Sequence, residues 1–261
     1  MELLRLLIGT IELRPYVFIF FAIYLAIALS TIGLKRTMIF TALAYTIAFV
    51  CEYSSSHGDS GIPFGVYRYI ESTRGRELWI RGVPFMDSLS FTFLSFVSWR
   101  FSTILLSTGS TRTEIAASGA GRKSRIIYTA ALAGFLMMYL DIIIDPVTLQ
   151  GKKWFLGEIY YYPNGGAYFG VTLANFAGWF VVCLIIVLVF SAIDSRLAGG
   201  PRPMGVRQFP FQWLSPAALY FGILGFNLWV TFRIGETTMG LAGLFISLPL
   251  LLLLGLSLRS A

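Results

Sequence analysis

The sequence contains one histidine and two cysteines in 261 residues, and only 13% of its side chains are charged. A single histidine rules out paired-histidine metal motifs. Cys51 and Cys183 both fall inside apolar segments, where cysteine behaves as a small hydrophobe, and two such residues make neither a disulfide framework nor a zinc spacing. Gly-rich phosphate loops, a nucleophile elbow and haem-attachment spacings are also missing. Most cofactor-dependent chemistries are thereby removed, and neither a cofactor nor a metal is expected. No fixed-period repeat is visible.

What remains is 56% hydrophobic and 16% aromatic, with a mean hydropathy of +0.74, which excludes an ordinary soluble domain. An all-α, polytopic membrane helix bundle is expected, a single integral membrane domain over residues 1–261 placed in the cell membrane. The formal charge of +7 does not point to nucleic acid, because the basic residues are scattered singly among loops. Membrane lipid is the expected partner of those cations.

About 20 apolar residues are needed to cross the hydrocarbon layer, and seven segments qualify, near 15–34, 37–56, 84–107, 126–147, 170–194, 213–232 and 238–258. Pro15, Pro84 and Pro216 fall near span starts, where a missing N–H costs little, and Pro249 is interior and expected to kink the last helix. The run from Pro15 is longer than a signal h-region and is followed by Lys35 and Arg36, so it is expected to be a retained first span. The stretch Ser107 to Gly121 reads as a flexible connection. Loops on the amino-terminal side carry nine Lys and Arg and the opposite side ten, a balance that leaves orientation open.

Five acids lie in or against these spans: Glu52, Asp87, Asp141, Asp145 and Glu236. Counting spans puts all five toward the amino-terminal side, with Asn175 opening the fifth span there. At 1.5 Å per residue Glu52 and Asp141 lie on the order of 6–9 Å inside the boundary. Ionisable groups at that depth line an interior or a wet cavity. Asp141 and Asp145 are four apart on a helix, so they share a face, and two acids in a poorly hydrated site share a proton near neutral pH. That supplies a general acid; Glu52 is either that acid or the base that takes a proton from water. The opposing reading is structural, with these acids paired to Arg68, Arg81 or Arg233. Asp87 sits in a first helical turn, where the macrodipole alone favours a carboxylate. Arg100 lies toward the other side and reads as a snorkelling cation, and His57, in Ser-Ser-Ser-His-Gly-Asp, as a solvated residue at a helix end. Aromatics crowd the loops of the acidic side, some for the interfacial belt and some available to face a cationic intermediate.

Three stretches read in order carry a resemblance. They are Glu52 followed by Gly61-Ile62-Pro63-Phe64-Gly65-Val66-Tyr67-Arg68-Tyr69 with Gly82-Val83-Pro84; Asp141-Ile142-Ile143-Ile144-Asp145-Pro146; and Tyr168-Phe169-Gly170-Val171-Thr172-Leu173-Ala174-Asn175-Phe176-Ala177-Gly178-Trp179. Together they resemble the membrane carotenoid-biosynthesis family that includes the hydratases of acyclic carotenoid ends, over about residues 45–182; the family usually has proline where this chain has Thr172. The resemblance implies addition of water across the terminal C=C of a long acyclic carotenoid, giving a tertiary alcohol without a redox cofactor. Such a hydro-lyase needs a proton donor, for which Asp141 or Asp145 serves, and a base, for which Glu52 serves. Asn175 would orient the water and Phe64, Tyr67, Tyr69 and Trp179 would line the substrate, in an apolar slot between spans that takes a substrate about as long as the bilayer is thick. A proton-coupled transporter or flippase of a lipid or isoprenoid is the alternative outside enzymes. A metal-dependent prenyltransferase is the alternative within them, from the Asp-x-x-x-Asp spacing, although a second acidic segment is missing.

Overall fold

The computed structural model describes residues 1–107, 121–197 and 212–259, and the expected connection at 108–120 lies outside them, as do Arg112, Arg202 and Arg207. Helices α1 (Glu2–Leu13), α2 (Pro15–Ile32), α3 (Leu34–His57), α4 (Phe85–Ser107), α5 (Arg122–Leu149), α6 (Leu173–Arg196), α7 (Ser215–Arg233) and α8 (Thr237–Arg259) account for most of it. Seven of them, α2 to α8, are long and apolar enough to cross a membrane, and the expected spans coincide with them to within a few residues. The chain is a polytopic bundle and an integral membrane protein.

The largest boundary differences have local causes. α6 starts at Leu173 rather than 170 because Phe169 and Gly170 both take positive φ in a tight turn. Thr172 then caps the helix, its hydroxyl accepting from the Asn175 N–H at 3.3 Å. α5 continues through Pro146 to Leu149, while Pro249 is interior to α8. The first fourteen residues, read as a plain lead-in to the first span, contain α1 instead. Twelve residues fall below span length, so a search for spans passes over them. Leu3, Leu4, Ile8 and Ile11 of α1 are exposed. Its other side is held by Gly9, where a Cβ would meet the Arg76 carbonyl oxygen at 2.0 Å, and by Thr10, whose hydroxyl accepts from the Leu78 N–H at 2.8 Å.

α4 is the central helix. Two thirds of its span is buried, against 28% for α2, and it packs on α2, α3, α5 and α7. Its composition suits that place: Ser88, Thr92, Ser95, Ser98 and Ser102 are fully buried small residues that let neighbouring helices approach. Thr92, Ser95 and Ser102 donate back to carbonyls of their own helix at 2.6–2.7 Å. Gly134 gives α5 and α6 the same closeness, a Cβ there meeting Phe180 at 2.8 Å.

Two loops cap the acidic end. Strand β1 (Arg68–Tyr69) pairs antiparallel with β4 (Tyr160–Tyr161), setting Tyr69 opposite Tyr160, and β2 (Trp79–Ile80) pairs with β3 (Val83–Pro84). Arg14, counted in the sequence as one more loop cation, is 1% exposed and holds Glu77 through both Nε and Nη2 at 3.2 Å. Its remaining nitrogen, Nη1, donates to the Leu156 carbonyl. One guanidinium thus joins the start of α2 to both capping loops.

A buried pair of this kind is costly to break singly, since the survivor is left as an uncompensated charge. Glu77→Leu is expected to destabilise the detergent-solubilised protein by about 3–5 kcal/mol in thermal unfolding, with Arg14→Leu/Glu77→Leu recovering part of the loss. An unchanged unfolding temperature in Glu77→Leu would remove the clamp from this account.

Candidate active site

The fold gathers four of the five acids. Glu52 is near the end of α3, Asp87 in the first turn of α4, Asp141 and Asp145 near the end of α5, and Asn175 in the first turn of α6. The fifth, Glu236, stands apart and pairs with Lys153. Glu52, Asp145 and Asn175 are 4–6% exposed and Asp141 is fully buried.

The structural reading of these acids required arginine partners, and the structure gives them none. Among the described residues Arg68 pairs with Asp59 at 3.7 Å, and none of the four acids is in an ion pair. Neutral donors serve instead. The Asn175 side-chain amide donates to Asp141 Oδ2 and to Asp145 Oδ2, both at 2.7 Å, so one NH2 group bridges two carboxyls. Tyr162 adds a hydroxyl to the same Asp145 oxygen at 3.0 Å. On the facing side Ser88 donates to Glu52 Oε2. The Tyr69 hydroxyl is close enough to interact with both Glu52 and Asp87. It also shares a 3.2 Å hydrogen bond with the Tyr67 hydroxyl, which reaches the Glu52 carbonyl at 3.4 Å. Asp87, expected to serve the helix dipole, therefore belongs to a second carboxyl pair.

A cavity of about 110 Å³ lies between the two pairs. Glu52, Phe64, Tyr67, Tyr69, Asn175 and Trp179 line it, as does Asp145, while Asp141 stands behind Asp145 and does not reach the wall. Sequence reasoning left Asp87, Tyr160, Tyr162 and Phe91 without a place here, and all four line the cavity. Asp87 carried a signal in the one-sided clustering of acids, and Tyr160 and Tyr162 a weaker one among the crowded loop aromatics of that side; Phe91 carried none. Phe91 stacks on Trp179 with centroids 4.6 Å apart. No Lys, Arg or His is in the lining. Burial, reinforced by the neighbouring carboxyls, holds the Tyr67, Tyr69, Tyr160 and Tyr162 phenols well above their ordinary range, so they act as neutral donors.

Small residues set the loop onto this cavity. A Cβ at Gly178 of α6 would meet Phe64 Cδ1 at 2.6 Å and the Pro63 carbonyl oxygen at 2.7 Å, so the 61–65 turn rests directly on the helix. The Phe64 N–H is held by Ser55 Oγ at 3.1 Å. Away from the capping loops the core closes within about a turn: Tyr24, Phe96, Leu140 and Cys183 are fully buried, and Tyr24 and Phe96 touch at 5.0 Å between centroids. The pocket is short, because aromatic side chains of α2, α3, α4 and α6 pack beneath it. His57 is exposed at the last residue of α3, its Nδ1 2.9 Å from Ser56 Oγ, as expected of a helix-end residue. Half-buried Arg100 sits over the Trp99 ring at 5.5 Å, remote from the acids in its helix.

Asn175→Leu would leave two buried carboxyls without their shared donor and is expected to cost about 1–3 kcal/mol in thermal unfolding, with Asn175→Gln costing less. Equal stability of Asn175→Leu and wild type would show that the bridge contributes nothing.

The comparisons with known proteins agree with this picture at one level. Neither the curated proteins nor the solved structures yield a match. A family model described as "Carotenoid biosynthesis protein" matches residues 13–248, from the Arg14 clamp through all four site acids into the last span. The chain belongs to the carotenoid biosynthesis protein family.

Proposed function

We propose that this protein is a carotenoid hydratase, adding water across the terminal C=C of an acyclic carotenoid end group. The observation that carries the reading is a cavity faced by the Asp145 of an amide-bridged carboxyl pair on one side and by Glu52 and Asp87 on the other, with no cation in its lining among the described residues. Two carboxyls that close share a proton, because two negative charges in a poorly hydrated site repel strongly. The Asp141/Asp145 pair is the donor, since Asp145 reaches the cavity and Asp141 stores charge behind it. The proton goes to the less substituted olefinic carbon and leaves a tertiary carbocation. A water then attacks the cation and loses its proton to Glu52, so that one C–H and one C–O bond replace the π bond. Negative walls and the faces of Trp179 and Phe91 favour the cationic intermediate.

The same electrostatics disfavour the alternatives. A diphosphate would meet carboxylates and no cationic side chain, and no three acids, histidines or cysteines among the described residues cluster as metal ligands. A carrier built on inverted repeats is disfavoured because no internal repeat is visible in the sequence. The short pocket implies that the protein grips an end group and leaves most of the polyene outside the bundle core.

The test is expression in a host that accumulates lycopene or a related acyclic pigment, with products analysed by mass. The expected product has gained one water and carries label from oxygen-18 water but not from oxygen-18 dioxygen; unchanged pigment across several acyclic substrates would refute the hydratase. Asp145→Asn and Glu52→Gln are each expected to lower kcat by about 10²–10⁴-fold while inserting normally. Trp179→Ala, which removes a ring face, is expected to lower kcat by roughly 2–30-fold, the equivalent of about 0.5–2 kcal/mol. Full activity in both carboxyl variants would end the mechanism.

A further inference from the structure

Each hydration moves a proton from one wall of the cavity to the other. The Asp141/Asp145 pair gives one to carbon, and the Glu52/Asp87 side collects one from water. The total is unchanged, but the site is left with its donor empty and its base full, and a second turnover requires the proton to return. The two pairs are on different helices, and among the described residues no hydrogen bond joins a carboxyl of one pair to a carboxyl of the other.

A wall of phenols lies between the two sides, joined at its middle by ring packing rather than by a hydrogen bond. Tyr69 lines the same cavity wall as Glu52 and Asp87, and its hydroxyl is bonded to that of Tyr67 at 3.2 Å. The Tyr67 ring in turn packs on Tyr160 and Tyr162, with centroids 5.6 and 6.2 Å away. Tyr162 is bonded to Asp145 at 3.0 Å. The Tyr160 hydroxyl is buried and lies beside Asp145, close enough to interact with its carboxyl. β1–β4 pairing fixes Tyr69 opposite Tyr160. All four phenols line the cavity. A hydroxyl can accept one proton while releasing its own, so a row of them passes a proton without any member ending ionised.

We propose that Tyr69 and Tyr67 carry the proton from Glu52 back toward the Asp141/Asp145 pair, with Tyr160 and Tyr162 as the receiving end, so that the site resets without opening to bulk water. The proposal rests on the hydratase reading. In the return step the Glu52 carboxyl releases its proton to the Tyr69 oxygen as the Tyr69 proton passes to Tyr67. The same exchange along the row ends on Asp145, leaving Glu52 a carboxylate and every phenol neutral. Nothing is oxidised or reduced.

The experiment compares two regimes of the purified, detergent-solubilised full chain on an acyclic carotenoid: protein in excess, where each molecule acts once, and pigment in excess. Because both side chains also line the cavity, Tyr69→Phe and Tyr67→Phe are expected to slow the first turnover modestly in the first regime. In the second their steady rate falls by about 10²-fold, the scale of a lost proton transfer. An equal loss in both regimes would assign the tyrosines to the fold or to the chemistry itself, and no loss in either would leave them as lining; each outcome overturns the relay. A wild type that hydrates nothing in either regime would instead remove the hydratase reading, and the relay with it.

Discussion

One amide group governs the architecture of the site. Asn175 uses a single NH2 to hold Asp141 and Asp145, and without a donor there, two acids on one face of a buried helix would have nothing in the described structure to answer them except Tyr162. An arginine would have held them more strongly and left them permanently ionised. A neutral donor satisfies oxygen lone pairs without fixing the charge state, which leaves room for a shared proton. The tight turn through Phe169 and Gly170 and the Thr172 cap place that amide. The first turn of α6 thus holds two carboxyls of a different helix.

The opposite wall follows the same rule with different residues. Ser88 and Tyr69 do for Glu52 and Asp87 what Asn175 and Tyr162 do for the other pair. The strong cationic clamp is kept outside the cavity, where Arg14 and Glu77 neutralise each other and secure the capping loops. Fixed charge is used for holding the loops, and titratable carboxyls with neutral partners face the pocket. The core closes beneath the pocket.

The spans were legible because the apolar run length needed to cross a bilayer is set by physics rather than by context. The gathering of Glu52, Asp87, Asp141 and Asp145 was legible for a related reason, since counting spans assigns each acid a side. The three stretches that carry the family resemblance also meet around the pocket. Residues whose meaning depends on a distant partner were not legible. Arg14 looks like a loop cation until Glu77, 63 positions away, is packed against it. Among seven loop aromatics from Trp154 to Phe169, strand pairing at 160–161 and a bond to Asp145 single out Tyr160 and Tyr162. Asp141 and Asp145 share a helical face, yet only Asp145 reaches the wall, a difference of one turn that spacing does not reveal. Glu236 clusters with the other acids by span count and belongs to a loop ion pair.

The central claim is that a carboxyl of the Asp141/Asp145 pair stays protonated at neutral pH, and infrared spectroscopy of the protonated carboxyl C=O stretch measures that directly. The account predicts such a band in the wild type at neutral pH, a band that loses intensity in the Asp141→Asn/Asp145→Asn variant and shifts when Asn175 is replaced. A wild-type spectrum at neutral pH containing only carboxylate bands would contradict it.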